Sequence, residues 1–152
     1  MDAIDRRIIK ALQIDGRMKI AELAETVGLS ATPCARRLER LHKDGVITGY
    51  SARVDAQKLD LPVTVFVSVE LEQQASGGVD AFERAIRAFD EVMECHLMTG
   101  SRDILLRIVV ADLNAFDRFL ENRLMRVPGI RNMRSNFALR TMVRRDVLPG
   151  LD

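Results

Sequence analysis

Four cations fall within eight positions of one short stretch, "RRLERLHK": Arg36, Arg37, Arg40 and Lys43. At about 100° per residue of helix, Arg36, Arg40 and Lys43 share one face. Cys34, Leu38 and Leu41 share the opposite face, and Arg37 lies at the boundary. Guanidinium groups spaced in this way suit one chemistry above others, bidentate hydrogen bonding to phosphate or to the edge of guanine. Just before them stands "SATP", where Ser30 and Thr32 offer small hydroxyls and Pro33 suits a first helical turn. A helix start of this kind presents free backbone N–H groups to anions. An amphipathic helix with a merely solvated charged face would look the same in isolation.

A second place with chemistry is "TGSRD", Thr99 to Asp103. Ordinary turn formation accounts for it, with Gly100 free to take positive φ and Asp103 able to cap backbone N–H groups. Elsewhere the residue types argue against catalysis. Cys95 and His96 are adjacent, and neighbours on a strand point to opposite faces, so they cannot form a nucleophile–base pair. His42 sits in the basic stretch without a cysteine or a pair of carboxylates near it in sequence, and Gly77-Gly78 is a polar turn, not a phosphate loop. Cys34 and Cys95 form no metal-ligand spacing, so no enzyme, structural metal or disulfide is expected, and a reduced interior is the natural setting.

The elements that must hold these residues follow from periodicity. The chain has 152 residues, 47% of them hydrophobic, which is enough for one domain or two small ones. Its 23 basic and 22 acidic residues leave a net charge of +1, so any nucleic-acid contact must come from a local patch. "DAIDRRIIKALQIDGR" places Ile4, Ile8, Ala11 and Leu12 on one helical stripe, with Asp2 and Asp5 as caps and Asp15-Gly16 as the stop. "MKIAELAETVG" repeats the pattern with Ile20, Leu23, Ala24 and Val27, and Gly28 suits a left-handed end. The basic helix comes third, capped by Ser30 or Thr32 and ended by Gly45. "VITGYSARVD" is strand-like about Thr48-Gly49 and is expected to form a short hairpin.

From Leu61 the period changes. "VTVFVSVEL" alternates as a strand, Gln73 to Gly78 form a polar turn, and "VDAFERAIRAF" is a helix with Asp80 and Glu83 as its capping box. "VMECHLMT" and "ILLRIVV" are strands flanking Gly100 to Asp103. A helix from Asp112 carries Phe116, Phe119 and Leu120, and a last strand is expected over roughly residues 132–143. The order β-α-β-β-α-β is ferredoxin-like. The fold class is therefore α+β, a helix-turn-helix domain of winged-helix type over residues 1–60 followed by a ferredoxin-like domain over 61–152. The sheet's two helices cover one face only, while Leu105 and Val109 project from the other, so self-association is expected. No signal peptide or membrane span is seen, and a cytoplasmic location is expected.

A basic third helix behind a tight Gly28-Leu29-Ser30 turn has the arrangement of a helix-turn-helix, whose second element lies in the major groove of DNA. The run "IAELAETVGLSATPCARRLERLHKDGVITGY", with "ECHLMTGSRDILLRIVV" and "RVPGI" after it, resembles the leucine-responsive regulatory protein/AsnC family of prokaryotic transcription regulators over essentially the whole chain. The resemblance implies a sequence-specific regulator that responds to an amino acid or related metabolite, needs no other cofactor, and assembles as a dimer or octamer. It implies DNA contacts at Ser30, Thr32, Pro33, Arg36, Arg37 and Arg40, which Lys43 joins from its place on the stripe. In the family the later turn reads Gly-Asp-aromatic-Asp and holds an amino acid. Gly100 and Asp103 match it, Ser101 and Arg102 depart from it, and Thr99 and a neighbouring subunit's Ser135 are further candidates for pocket walls. Two rival readings are an architectural protein that packages DNA with low sequence preference, and a metabolite-binding subunit of an amino-acid enzyme. The latter leaves the basic helix unexplained.

Overall fold

The computed structural model describes residues 1–72, 77–100 and 103–151. The chain divides into two units, one of residues 1–53 with 142–152 and the other of residues 54–141.

The first unit opens with helix α1 (Ala3–Ile14), whose start is closed by a reciprocal capping box. Asp2 accepts the Asp5 N–H and Asp5 accepts the Asp2 N–H, both at 2.9 Å. Helix α2 (Ile20–Val27) ends at Gly28, whose φ of +74° lies in the left-handed region. Helix α3 (Ala31–Lys43) follows directly. The apolar stripes meet in one core in which Ile8, Leu23, Val27, Cys34 and Leu41 are buried. Each large aliphatic side chain withdrawn from water there contributes about 1.5–3 kcal/mol.

The hairpin expected after α3 does not form. The Val46 and Ile47 N–H groups both donate to the Leu41 carbonyl, at 3.0 and 3.1 Å, so the segment caps the helix instead of pairing with itself. Tyr50 folds back with its ring 5.6 Å from that of His42. A two-stranded ribbon with no third partner is marginal in water, and local capping wins.

The last strand, expected over roughly residues 132–143, ends at Phe137, and residues 142–152, expected in the ferredoxin-like domain, belong to this unit instead. The Leu148 N–H donates to Gln13 Oε1 at 3.1 Å, Arg6 Nη1 donates to the Gly150 carbonyl at 2.6 Å, and Leu151 is buried. Arg53 adds an ion pair to Asp146.

The second unit contains strands β1 (Val63–Leu71), β2 (Val92–Leu97), β3 (Ile104–Val110) and β4 (Ile130–Phe137), with helices α4 (Gly78–Ile86) and α5 (Leu113–Asn122). All neighbours are antiparallel in the order β2-β3-β1-β4, which is the ferredoxin-like arrangement. Alternation explains the burial. Val65, Val67 and Val69 of β1 and Ile104, Leu106 and Ile108 of β3 face the helices and are buried with Phe82, Phe116 and Phe119. Helix α5 starts on Asp112, which accepts the Ala115 N–H. Helix α4 starts at Gly77 without a side-chain cap, so Asp80 and Glu83 do not form the expected box, because the helix begins ahead of Asp80. The opposite sheet face mixes half-buried Phe66, Leu105 and Val109 with Arg107, whose guanidinium holds Glu94 at 2.8 Å.

Candidate nucleic-acid interface and effector turn

The turn from α2 to α3 rests on Gly28, whose N–H returns to the Ala24 and Glu25 carbonyls. Ser30 then takes the cap position of α3 without a side-chain cap hydrogen bond. Ser30, Thr32 and Pro33 are exposed, and the first-turn N–H groups of Ala31 and Thr32 have no acceptor within the helix. One turn further on, Arg36 is exposed, and Lys43 is exposed two turns beyond that. Neither makes an ion pair among the described residues. Cys34 packs inward as the helical wheel requires, and burial pushes its thiol pKa up.

The other two cations behave differently. Arg40 Nη2 lies 2.7 Å from both carboxylate oxygens of Asp5, and Arg37 Nη1 donates to Asp5 at 2.8 Å and to Asp2 at 2.6 Å. The Asp5 side chain is 1% exposed, against 26% for Arg37 and 50% for Arg40. Arg37 and Arg40, expected among the outward cations, thus have their guanidinium groups on carboxylates of α1. Burial pushes the Asp5 carboxyl up, but the Asp2 N–H, Arg37 and Arg40 outweigh it and hold it below its ordinary value. Asp2 is pulled down to about 2 by the Asp5 N–H and then by Arg37.

Periodicity recognised Asp5 only as a cap. The signal for its second role is its place on the inward stripe with Ile8 and Leu12, at i+3 and i+7, where a carboxylate demands a cationic partner.

In the second unit, Thr99 and Gly100 are exposed beside the start of β3, and Gly100 has a φ of +115°. Asp103 closes the loop on three sides. Its carbonyl accepts the Met98 N–H at 2.8 Å, its N–H donates to the Val69 carbonyl at 3.1 Å, and its Oδ2 accepts the Leu71 N–H at 2.8 Å. Ser101, a predicted pocket residue, lies outside the described residues, as does Arg102. Ser135 is half-buried on β4 opposite Val67, across the sheet from the β2–β3 turn, so a single chain does not bring it to Thr99 and Gly100. A cavity of about 380 Å³, absent from the sequence reading, lies between α4 and β2, lined by Val79, Ile86, Val92, Cys95, Leu97 and Ile104 among others.

Comparison with known proteins accounts for both units. The AsnC-type helix-turn-helix domain model matches residues 1–42, and the Lrp/AsnC ligand binding domain model matches residues 64–148. The chain belongs to the Lrp/AsnC family of transcriptional regulators. Among its Lrp/AsnC relatives, the Bkd operon transcriptional regulator of Pseudomonas aeruginosa is 44% identical over 149 residues, covering 98% of this chain and 97% of that protein. The leucine-responsive regulatory protein of Escherichia coli is 40% identical over 135 residues, covering 89% and 82%. A transcriptional regulator of Neisseria meningitidis, solved as a complex with L-Met, superposes with a TM-score of 0.92 at 32% identity, covering 98% of this chain and 96% of that one. An AsnC family regulator of Agrobacterium tumefaciens gives 0.91 at 38% identity, covering 98% and 97%. The family is one of transcriptional regulators, not of enzymes. Among the described residues no helix is long and apolar enough to cross a membrane.

Proposed function

We propose that this regulator acts in the cytoplasm as a homodimer or larger assembly. In this reading α3 enters the major groove, with Ser30, Thr32 and Pro33 at its leading end and Arg36 and Lys43 along its outer face. The sheet unit binds an amino acid at the Thr99–Asp103 turn, completed by Ser135 of a second copy. The observation that carries the DNA half is the pair of exposed cations on the second helix of a helix-turn-helix that make no ion pair among the described residues. The L-Met complex of the Neisseria meningitidis relative supports an amino-acid effector. The half-buried apolar residues on the helix-free sheet face support a dimer, and twofold symmetry suits half-sites about one helical turn apart. A net charge of only +1 speaks against non-specific DNA packaging.

Fluorescence anisotropy with the chain's own upstream DNA tests the reading. Binding should exceed that to random DNA by about a thousandfold or more. Arg36→Gln with Lys43→Gln should flatten the plot of log affinity against log salt by about 0.9 for each lost phosphate contact. A double variant that binds like wild type would overturn it.

A further inference from the structure

We infer that Asp5 is a positioning residue for DNA recognition: it ties the Arg37 and Arg40 guanidinium groups to α1, so that of the four clustered cations only Arg36 and Lys43 meet the duplex. The inference rests on the DNA reading of α3 and divides the labour within it.

The geometry makes the division. Arg37 and Arg40 are three residues apart and lie on the flank of α3 that turns toward α1, where both reach one carboxylate. Arg36 and Lys43, seven apart, lie together on the exposed face with Glu39 between them, and neither makes an ion pair among the described residues. For the Arg40 guanidinium to swing onto a phosphate, its Nη2 would have to leave a carboxylate whose side chain is 1% exposed and is reached poorly by water. Arg37 is doubly held, by Asp5 and by the half-exposed Asp2. Two guanidinium groups held on one fixed anion also set the rotation of α3 about its own axis. That rotation decides which side chains face the base edges. Asp5 is itself fixed by the capping box, so the reading helix takes its register from the first turn of the chain.

Salt dependence separates a positioned cation from a contacting one. Arg36→Gln should flatten the salt slope by about 0.9, whereas Arg40→Gln and Arg37→Gln should leave it unchanged. Asp5→Asn frees the Arg40 guanidinium and leaves Arg37 held by Asp2 alone. It should steepen the slope by up to about 1.8, raise affinity for random DNA and lower the preference for the operator. Asp5→Glu should restore the wild-type slope, which a general loss of stability would not predict. An Arg40→Gln slope as flat as that of Arg36→Gln overturns the inference, and so does a folded Asp5→Asn with an unchanged slope. Should Asp5→Asn fail to fold, shown by circular dichroism, the comparison of Arg36→Gln with Arg40→Gln carries the test alone. Wild-type protein that does not prefer its operator would instead refute the DNA reading itself, a distinct result.

Discussion

Asp103 Oδ2 accepts the backbone N–H of Leu71 at 2.8 Å, so the acid of the proposed effector turn also secures the end of β1. The residue is 8% exposed, and its carboxylate serves the fold whether or not an effector is bound. Two substitutions separate these duties. Asp103→Ala leaves the Leu71 N–H without that acceptor and should cost about 1–3 kcal/mol of stability. Asp103→Asn keeps an acceptor oxygen and should retain most of the stability, yet lose the negative charge that an α-ammonium group needs. In differential scanning fluorimetry the Asn variant should melt close to wild type and lose the upward shift produced by the effector amino acid. A full shift in that variant would remove the carboxylate from the ligand site.

The acid response of the helical unit follows from Asp2 and Asp5. Both carboxyls lie below their ordinary value of 3.8 in the folded chain, Asp2 at about 2. A group whose pKa is depressed by folding adds stability above its unfolded value and loses it as the pH falls through the folded one. Their contribution should therefore be present above about pH 4 and fade as the pH falls below the ordinary value of 3.8, for Asp2 toward about 2. Asp5→Asn should be about 2 kcal/mol less stable than wild type at pH 7, with the gap closing in acid. Urea titrations at pH 7, 4 and 2.5 measure it, and a gap independent of pH would contradict the assigned ion pairs.

Gly28 has a φ of +74° between the two helices of the reader. An alanine there is strained by about 1–2 kcal/mol. Nothing lies within 4 Å of an added Cβ, so backbone conformation alone is responsible. Gly28→Ala should lower the melting midpoint by about 2–4 °C per kcal/mol in a chain of this size. A rise in the midpoint would contradict the left-handed cap.

The ferredoxin-like unit was legible because its strands alternate so plainly. Val65, Val67 and Val69 could face only one way, and the helical stripe with Phe82 and Ile86 had one sheet to cover. The three helices were legible for the same reason. What periodicity could not reveal was contact between helices distant in the chain. A wheel drawn for α3 alone cannot register that Asp5, more than thirty positions earlier, waits beside Arg37 and Arg40. Nor could it foresee that two N–H groups after α3 would be claimed by the Leu41 carbonyl before any hairpin could pair. In both cases a local pattern had the right residues and lacked their partner.

The return of the last residues to α1 has a practical side for anyone handling this protein. An affinity handle appended after Asp152 follows a segment that belongs to the helical reader, not to the sheet. It would crowd Arg6 and Gln13. Cutting the chain after Thr141 to obtain the sheet unit leaves that unit whole, whereas expressing residues 1–53 alone strips the reader of the strip that fastens its opening helix.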